Sequence, residues 1–240
     1  MTEFWNDIIN FFITLWRGLL YYIPGIGRPD RVVDFIGGHL LITAVTMGLA
    51  ILIGVSLGIM ITRIRWLYNP VITAAGMVYT VPSLAMFGIM IPIVGIGFEP
   101  AIIALTLYSL LAIIRNTAVG IDTIDASILE SARGMGMTDR QILMRIELPL
   151  ALPIIFGGVR IAIVSTISLA TLASFFGANS LGNLIFEGIS AGGMRNDKIA
   201  AGAIGASVLA ILFDQILKYF EENLRSWQED APAAEVANAE

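Results

Sequence analysis

The sequence predicts an all-α polytopic membrane fold of about five spans preceded by an amphipathic helix. Three observations carry that prediction. Hydrophobic residues make up 57% of the 240 positions and charged residues only 14%, with a mean hydropathy of +0.82, far from the composition of a soluble domain. The stretches from Phe35 to Thr62 and from Trp66 to Phe98 hold no formal charge, and each is longer than the roughly 20 apolar residues that a bilayer core requires. Small residues recur at four-residue spacing within the apolar runs, as in Ala50, Gly54, Gly58 and in Ala162, Thr166, Ala170, Ser174, which makes helix faces that neighbours can approach closely.

Taken in order, residues 1–34 form a segment of their own. From Phe4 to Tyr22 the polar residues Asp7, Asn10, Thr14 and Arg17 recur at helical spacing among Trp5, Phe11, Phe12, Leu15, Trp16 and Leu19. An interfacial helix lying on the membrane is the reading, with an extra span as its competitor. It does not read as a secretory signal peptide, because Glu3 and Asp7 precede the apolar run and Arg17 follows late. Residues 35–220 hold the spans. Phe35 to Thr62 is the first, with His39 at its mouth as an interfacial polar residue and Arg63 and Arg65 as the anchor that closes it. The second begins at Trp66 and contains Pro82, read as a kink that faces either packed protein or a pathway. Gly95-Ile96-Gly97 turns into a third span from Ala101 to about Thr117. Pro153 is expected to start the fourth, which runs to about Phe176 and carries Arg160, read as snorkelling to the inner interface. Gly177 to Lys198 is too polar to cross and predicts a turn with a short helix tucked partly back. The fifth span, Ile199 to about Phe220, has the stripe Gly202, Ala206, Ala210 and an Asp214–Lys218 pair one turn apart. Residues 221–240 read as an acidic tail, disordered beyond Trp227.

Charge and composition exclude several classes. The tail holds six acidic residues against Arg225, which is the entire net charge of −5. With the rest of the chain neutral, there is no basic surface for nucleic acid. No cysteine is present and His39 is the only histidine, so neither a histidine or thiolate metal site nor an activated serine or cysteine nucleophile is expected. No Gly-x4-Gly-Lys-Ser/Thr phosphate loop occurs. No catalytic residue is assigned, and any energy must come from a partner or a gradient.

One polar island interrupts the spans, within the loop 122–149. Asp125 can N-cap a helix, Gly134 and Gly136 can end it, and Thr138 with Gln141 has capping-box spacing for a second. Pro149 stands where the following helix would begin. Without more, this is an amphipathic connection between two spans.

The residues carry a resemblance. Glu130-Ser131-Ala132, three residues, Gly136, nine residues, then Ile146-Glu147-Leu148-Pro149 resembles the coupling-loop pattern E-A-A-x3-G-x9-I-x-L-P of importer-type ATP-binding cassette permeases, with Ser131 the one departure. The resemblance implies that Glu130, Ser131, Ala132, Gly136, Ile146, Leu148 and Pro149 couple the chain to a separate ATPase subunit, with Glu130 orienting the loop and Ala132 and Gly136 allowing close approach. ATP and magnesium would be used by that partner and no cofactor by this chain. From His39 to Phe220, segments such as Thr80-Val81-Pro82-Ser83-Leu84-Ala85 and Ile114-Arg115-Asn116-Thr117 look like the osmoprotectant permeases for glycine betaine, carnitine or choline. Ala112 stands where that subset has proline, which implies a straighter third span. A permease for methionine or another amino acid shares the plan, and a gradient-driven carrier is the alternative of another class. The resemblance further implies alternating access through a pathway shared with a second permease chain, with Tyr79, Pro82, Ser83, Met86 and Tyr108 as pathway candidates, and a substrate-binding protein docking around Asn179, Ser180 and Arg195. With the loop inside, nine of the 14 basic residues fall on the cytoplasmic side, which places the N-terminus outside the inner membrane and the C-terminus inside.

Overall fold

The computed structural model describes residues 2–20, 29–190 and 195–236. Every regular element among them is helical. Helix α1 (Thr2–Leu20) is followed by α2 (Pro29–Arg63), a 35-residue helix that absorbs the whole first apolar run. Among the described residues four helices are long and apolar enough to cross a membrane: Val32–Arg63 of α2, α5 (Phe98–Asp122), Asp139–Ala170, and Asn196–Leu224 of α10 (Asn196–Val236). A fifth crossing requires the broken pair α3 (Tyr68–Thr80) and α4 (Ser83–Val94) to count as one. The expected kink at Pro82 is thus a full break. Pro82 adopts an extended backbone, φ −56° and ψ 132°, and occupies the N-cap of α4, because its ring forbids a helical hydrogen bond back to α3.

Two other prolines act in the opposite way. Pro149 falls in the first turn of α8 (Leu148–Ala170), where a helix opener is expected, whereas Pro153, expected to start the fourth span, lies inside that helix. A π-helical turn, Leu143–Glu147, precedes them, and the Leu148 N–H reaches back to the Leu143 carbonyl. That wider turn contains the carbonyl one turn behind Pro149 and relieves its clash with the proline ring, so the helix continues through that position. The fourth span ends at Ala170 and passes through a 3-10 turn, Leu172–Phe176, rather than running unbroken to Phe176. α9 (Gly182–Ser190) is the predicted short helix. α10 continues to Val236, past the predicted ends of both the span and the ordered chain.

Packing divides the chain into two units, and each long helix contributes to both. One unit comprises Met1–Met47, Val81–Thr106 and Val164–Leu212. Its core gathers Val32, Phe35, Leu181, Leu184, Ala201 and Ala206. There Gly18 of α1 lies against Ala200, where an added Cβ would come within 2.8 Å. His39 lies in this unit too. It is fully buried, and its Nε2–H donates to the Ile167 carbonyl at 3.1 Å. The interfacial placement of His39 is therefore corrected: a polar ring this deep needs a partner, and the α8 backbone supplies one.

The other unit comprises Gly48–Thr80, Leu107–Ile163 and Phe213–Glu240. The Ala50, Gly54, Gly58 face works as its spacing predicts, with Gly54 against Ile113 and Gly58 against Thr117. α5 is unbroken through Ala112, as the missing proline implied. Arg160 is not a snorkelling side chain. Its guanidinium grips both oxygens of Asp214 at 2.6 and 3.0 Å and reaches Glu221 at 3.4 Å. The predicted Asp214–Lys218 pair is replaced accordingly, and Lys218 lies 3.7 Å from Glu222 instead.

Candidate functional site

The polar loop builds its two helices from local hydrogen bonds. The Asp125 carboxylate accepts the Ser127 N–H at 2.8 Å and caps α6 (Ala126–Gly134). Those hydrogen bonds from Ser127 hold the Asp125 carboxyl below its usual range. At the other end, Met137 N–H donates to the Ala132 carbonyl and Gly136 N–H to that of Arg133, with Gly136 at φ +77°. This is a Schellman cap, which requires a left-handed residue at the position Gly136 holds. The capping box then closes as predicted. Thr138 N–H donates to Gln141 Oε1 at 2.8 Å, Gln141 N–H to Thr138 Oγ1 at 3.4 Å, and α7 (Asp139–Ile142) follows.

The surface of this knob differs from the expectation at one position. Glu130, Ser131 and Gly136 are exposed, and Ile146, Leu148 and Pro149 are half-buried. Ala132 is completely buried. Its small size therefore serves packing within the chain. The exposed apolar groups are Met135 at 74%, Met144 at 58% and Ile128 at 42%, none of which the motif pattern singles out. Methionines at the surface of an otherwise polar loop were the sequence signal for them.

Arg63 and Arg65 do more than anchor the first span. Arg63 makes an ion pair with Glu147, whose side chain is 2% exposed. Arg65 holds Asp122 bidentately, at 2.9 and 3.0 Å. Asp122 ends α5 and Glu147 ends the π-helical turn, so the two arginines bind both ends of the loop from one short connection.

Of the pathway candidates, the structure brings Tyr79 and Tyr108 together edge to face, with ring centroids 6.1 Å apart. Tyr108 is buried and Tyr79 half exposed. Pro82, Ser83 and Met86 lie in the other unit, where Met86 is buried and its neighbour Phe87 stacks on Phe176 at 5.2 Å. Among the outer candidates, Asn179 is exposed and donates to the Asp34 carbonyl at 3.3 Å, and Arg195 is exposed and pairs with Asp197. Ser180 is fully buried; its Oγ accepts the Gly182 N–H at 3.1 Å and builds the turn before α9.

Apolar helices of crossing length, a broken helix pair and a capped two-helix polar loop define a polytopic permease-like membrane protein. Residues 50–226 match the family described as the binding-protein-dependent transport system inner membrane component. The chain belongs to that family, and so is a multi-pass subunit of a transport system at the inner membrane. It is 46% identical over 184 residues, 75% of this chain and 85% of the relative, to the osmoprotectant import permease protein OsmW of Salmonella typhimurium. It is 40% identical over 188 residues, 78% of this chain and 86% of the relative, to the glycine betaine/carnitine/choline transport system permease protein OpuCB of Bacillus subtilis. Among solved structures, an inward-facing MetNI methionine ABC transporter shares the fold with a TM-score of 0.72 at 23% identity, over 80% of this chain and 95% of that one.

Proposed function

We propose that this chain is the permease subunit of an ATP-binding cassette importer for a quaternary ammonium osmoprotectant such as glycine betaine, carnitine or choline. The observation that carries the reading is that relatives 39–46% identical over three quarters or more of this chain are named as permeases for these solutes. Their shared chemistry is a cation with no N–H to donate. Such a group is bound by aromatic faces, and the Tyr79–Tyr108 pair supplies two rings in contact.

The system operates by alternating access. A second permease chain, identical or closely related, completes the pathway, and a substrate-binding protein delivers the solute to the outer face near Asn179 and Arg195. A separate ATPase subunit, which uses ATP and magnesium, docks on the loop through Glu130, Ser131 and Gly136, with Met135 as the apolar centre of the contact. The N-terminus lies outside and the C-terminus inside. The test is uptake of labelled glycine betaine at raised osmolarity by cells carrying the full system, with and without this chain. Uptake that depends on the chain and is competed by other quaternary amines supports the reading; uptake competed by methionine instead would move the substrate to amino acids.

A further inference from the structure

We propose that Arg63 and Arg65 form a double clamp that makes the loop 122–149 and the α2–α3 connection move as one body, so that displacement of the loop is delivered directly into α2 and α3. The proposal rests on the reading of the loop as the ATPase dock and adds the element that carries its motion inward.

The geometry has three parts. Arg63 is the last residue of α2 and Arg65 opens the 3-10 turn Arg65–Leu67 that leads to α3. Their two acids stand at opposite ends of the loop in sequence, 57 and 84 positions from their partners. Both ends of the loop are thus tied to a single short connection, and a push on the knob cannot be absorbed by bending at only one end.

The two pairs differ in kind. Arg65–Asp122 is exposed but bidentate, a fixed fork geometry that resists rotation. Arg63–Glu147 is sealed on the acid side, with Glu147 2% exposed. A buried carboxylate held by one cation is strongly disfavoured when that cation leaves, so this end of the clamp stays closed as the loop moves. Glu147 also terminates the π-helical turn, a local widening of the kind often found where a helix must yield. Packing completes the link, since Leu67, Tyr68, Val71 and Ile72 rest on the Ile61, Ile114, Ala118 core.

The absence of native cysteine allows a direct test on the full transporter with its ATPase partner. Spin labels at Trp66→Cys on the connection and Met144→Cys on the loop, 74% and 58% exposed and both outside the docking residues, report the separation of the two elements with and without nucleotide. The expected wild-type result is one distance that nucleotide does not change. In Asp122→Asn and in Glu147→Gln a second distance is expected to emerge on nucleotide addition. ATP hydrolysed per glycine betaine moved should rise about fivefold or more, the lower edge of ordinary coupling between sites. The reversed pair Arg65→Asp with Asp122→Arg should restore the single distance. A wild-type distance that itself shifts with nucleotide, or an Asp122→Asn variant with the parental distance and stoichiometry, would overturn the clamp. Should Glu147→Gln fail to accumulate, the exposed Arg65–Asp122 pair decides alone. The label distances require no transported solute, so a wrong substrate assignment would appear as absent uptake with the distance result intact.

Discussion

Gly182 makes the strictest steric demand among the described glycines. A Cβ there would stand 1.8 Å from the Thr171 carbonyl oxygen and 2.6 Å from Ser174 Oγ, whereas a Cβ at Gly76 would meet nothing within 4 Å. Gly182→Ala is expected to destabilise the protein in detergent by about 3 kcal/mol, the upper range for forced overpacking. Gly76→Ala, in α3, should be neutral or stabilising by about 0.5 kcal/mol through helix propensity. Equal melting temperatures for the two variants would show that the approach of α9 to the 3-10 turn after α8 is looser than described. Glu130→Lys belongs to the same scale. Glu130 is exposed and makes no core contact, so the variant should reach the membrane in normal amount yet fail to bind the ATPase and to take up glycine betaine. Normal uptake would remove Glu130 from the dock. What the sequence disclosed at this scale follows from distance along the chain. Asp125, Gly136, Thr138 and Gln141 could be assigned because each acts on a residue five or fewer positions away. His39, Arg63 and Arg65 could not, because their partners lie 128, 84 and 57 positions off and no local pattern encodes them.

At the scale of elements, the prolines show how far composition reaches. All three were legible as helix punctuation, but Pro82 breaks a helix and Pro149 and Pro153 do not. At Pro149 the ring is accommodated by the π-helical turn before it, which depends on hydrogen bonds that no residue type dictates. Span positions were legible from charge-free length alone, while ends were not, as with α10 continuing to Val236. The α8–α10 ion cluster is an element-level feature that the sequence concealed: Asp214 had a nearer basic neighbour in Lys218, and the structure gives it Arg160. Both side chains of the pair are 29% exposed, so its contribution falls below that of a fully buried ion pair. Arg160→Gln should therefore destabilise by about 1 kcal/mol, because it leaves Asp214 and Glu221 without their shared cation. Adding Asp214→Asn should recover a substantial part of that loss. Thermal unfolding of the two single variants and the double variant measures this, and simple additivity would mean that the pair is not an energetic unit.

For the whole molecule the decisive matter is where transport energy enters. A permease that concentrates its solute against a gradient needs a nucleotide site or a coupling-ion site of its own, or a partner that has one. The sequence contains no phosphate loop. A proton-driven carrier would need a carboxylate in a span that gains and loses a proton during the cycle. Asp214 is placed for this by sequence, but Arg160 holds both of its oxygens in this structure, so a carrier role would require the guanidinium to be displaced. The chain instead invests its polar residues in the loop, where Asp125, the Schellman cap at Gly136 and the capping box at Thr138 hold an exposed knob in one conformation. Rigidity of that kind suits a surface on which another protein pushes. Proteoliposomes holding this chain alone, under an inward proton or sodium gradient, are therefore expected not to concentrate labelled glycine betaine. Adding the ATPase subunit, the binding protein and ATP should produce accumulation that stops when nucleotide is withdrawn. Accumulation by the chain alone, driven by either gradient and abolished by Asp214→Asn, would place the energy source in α10 and displace the loop from its coupling role.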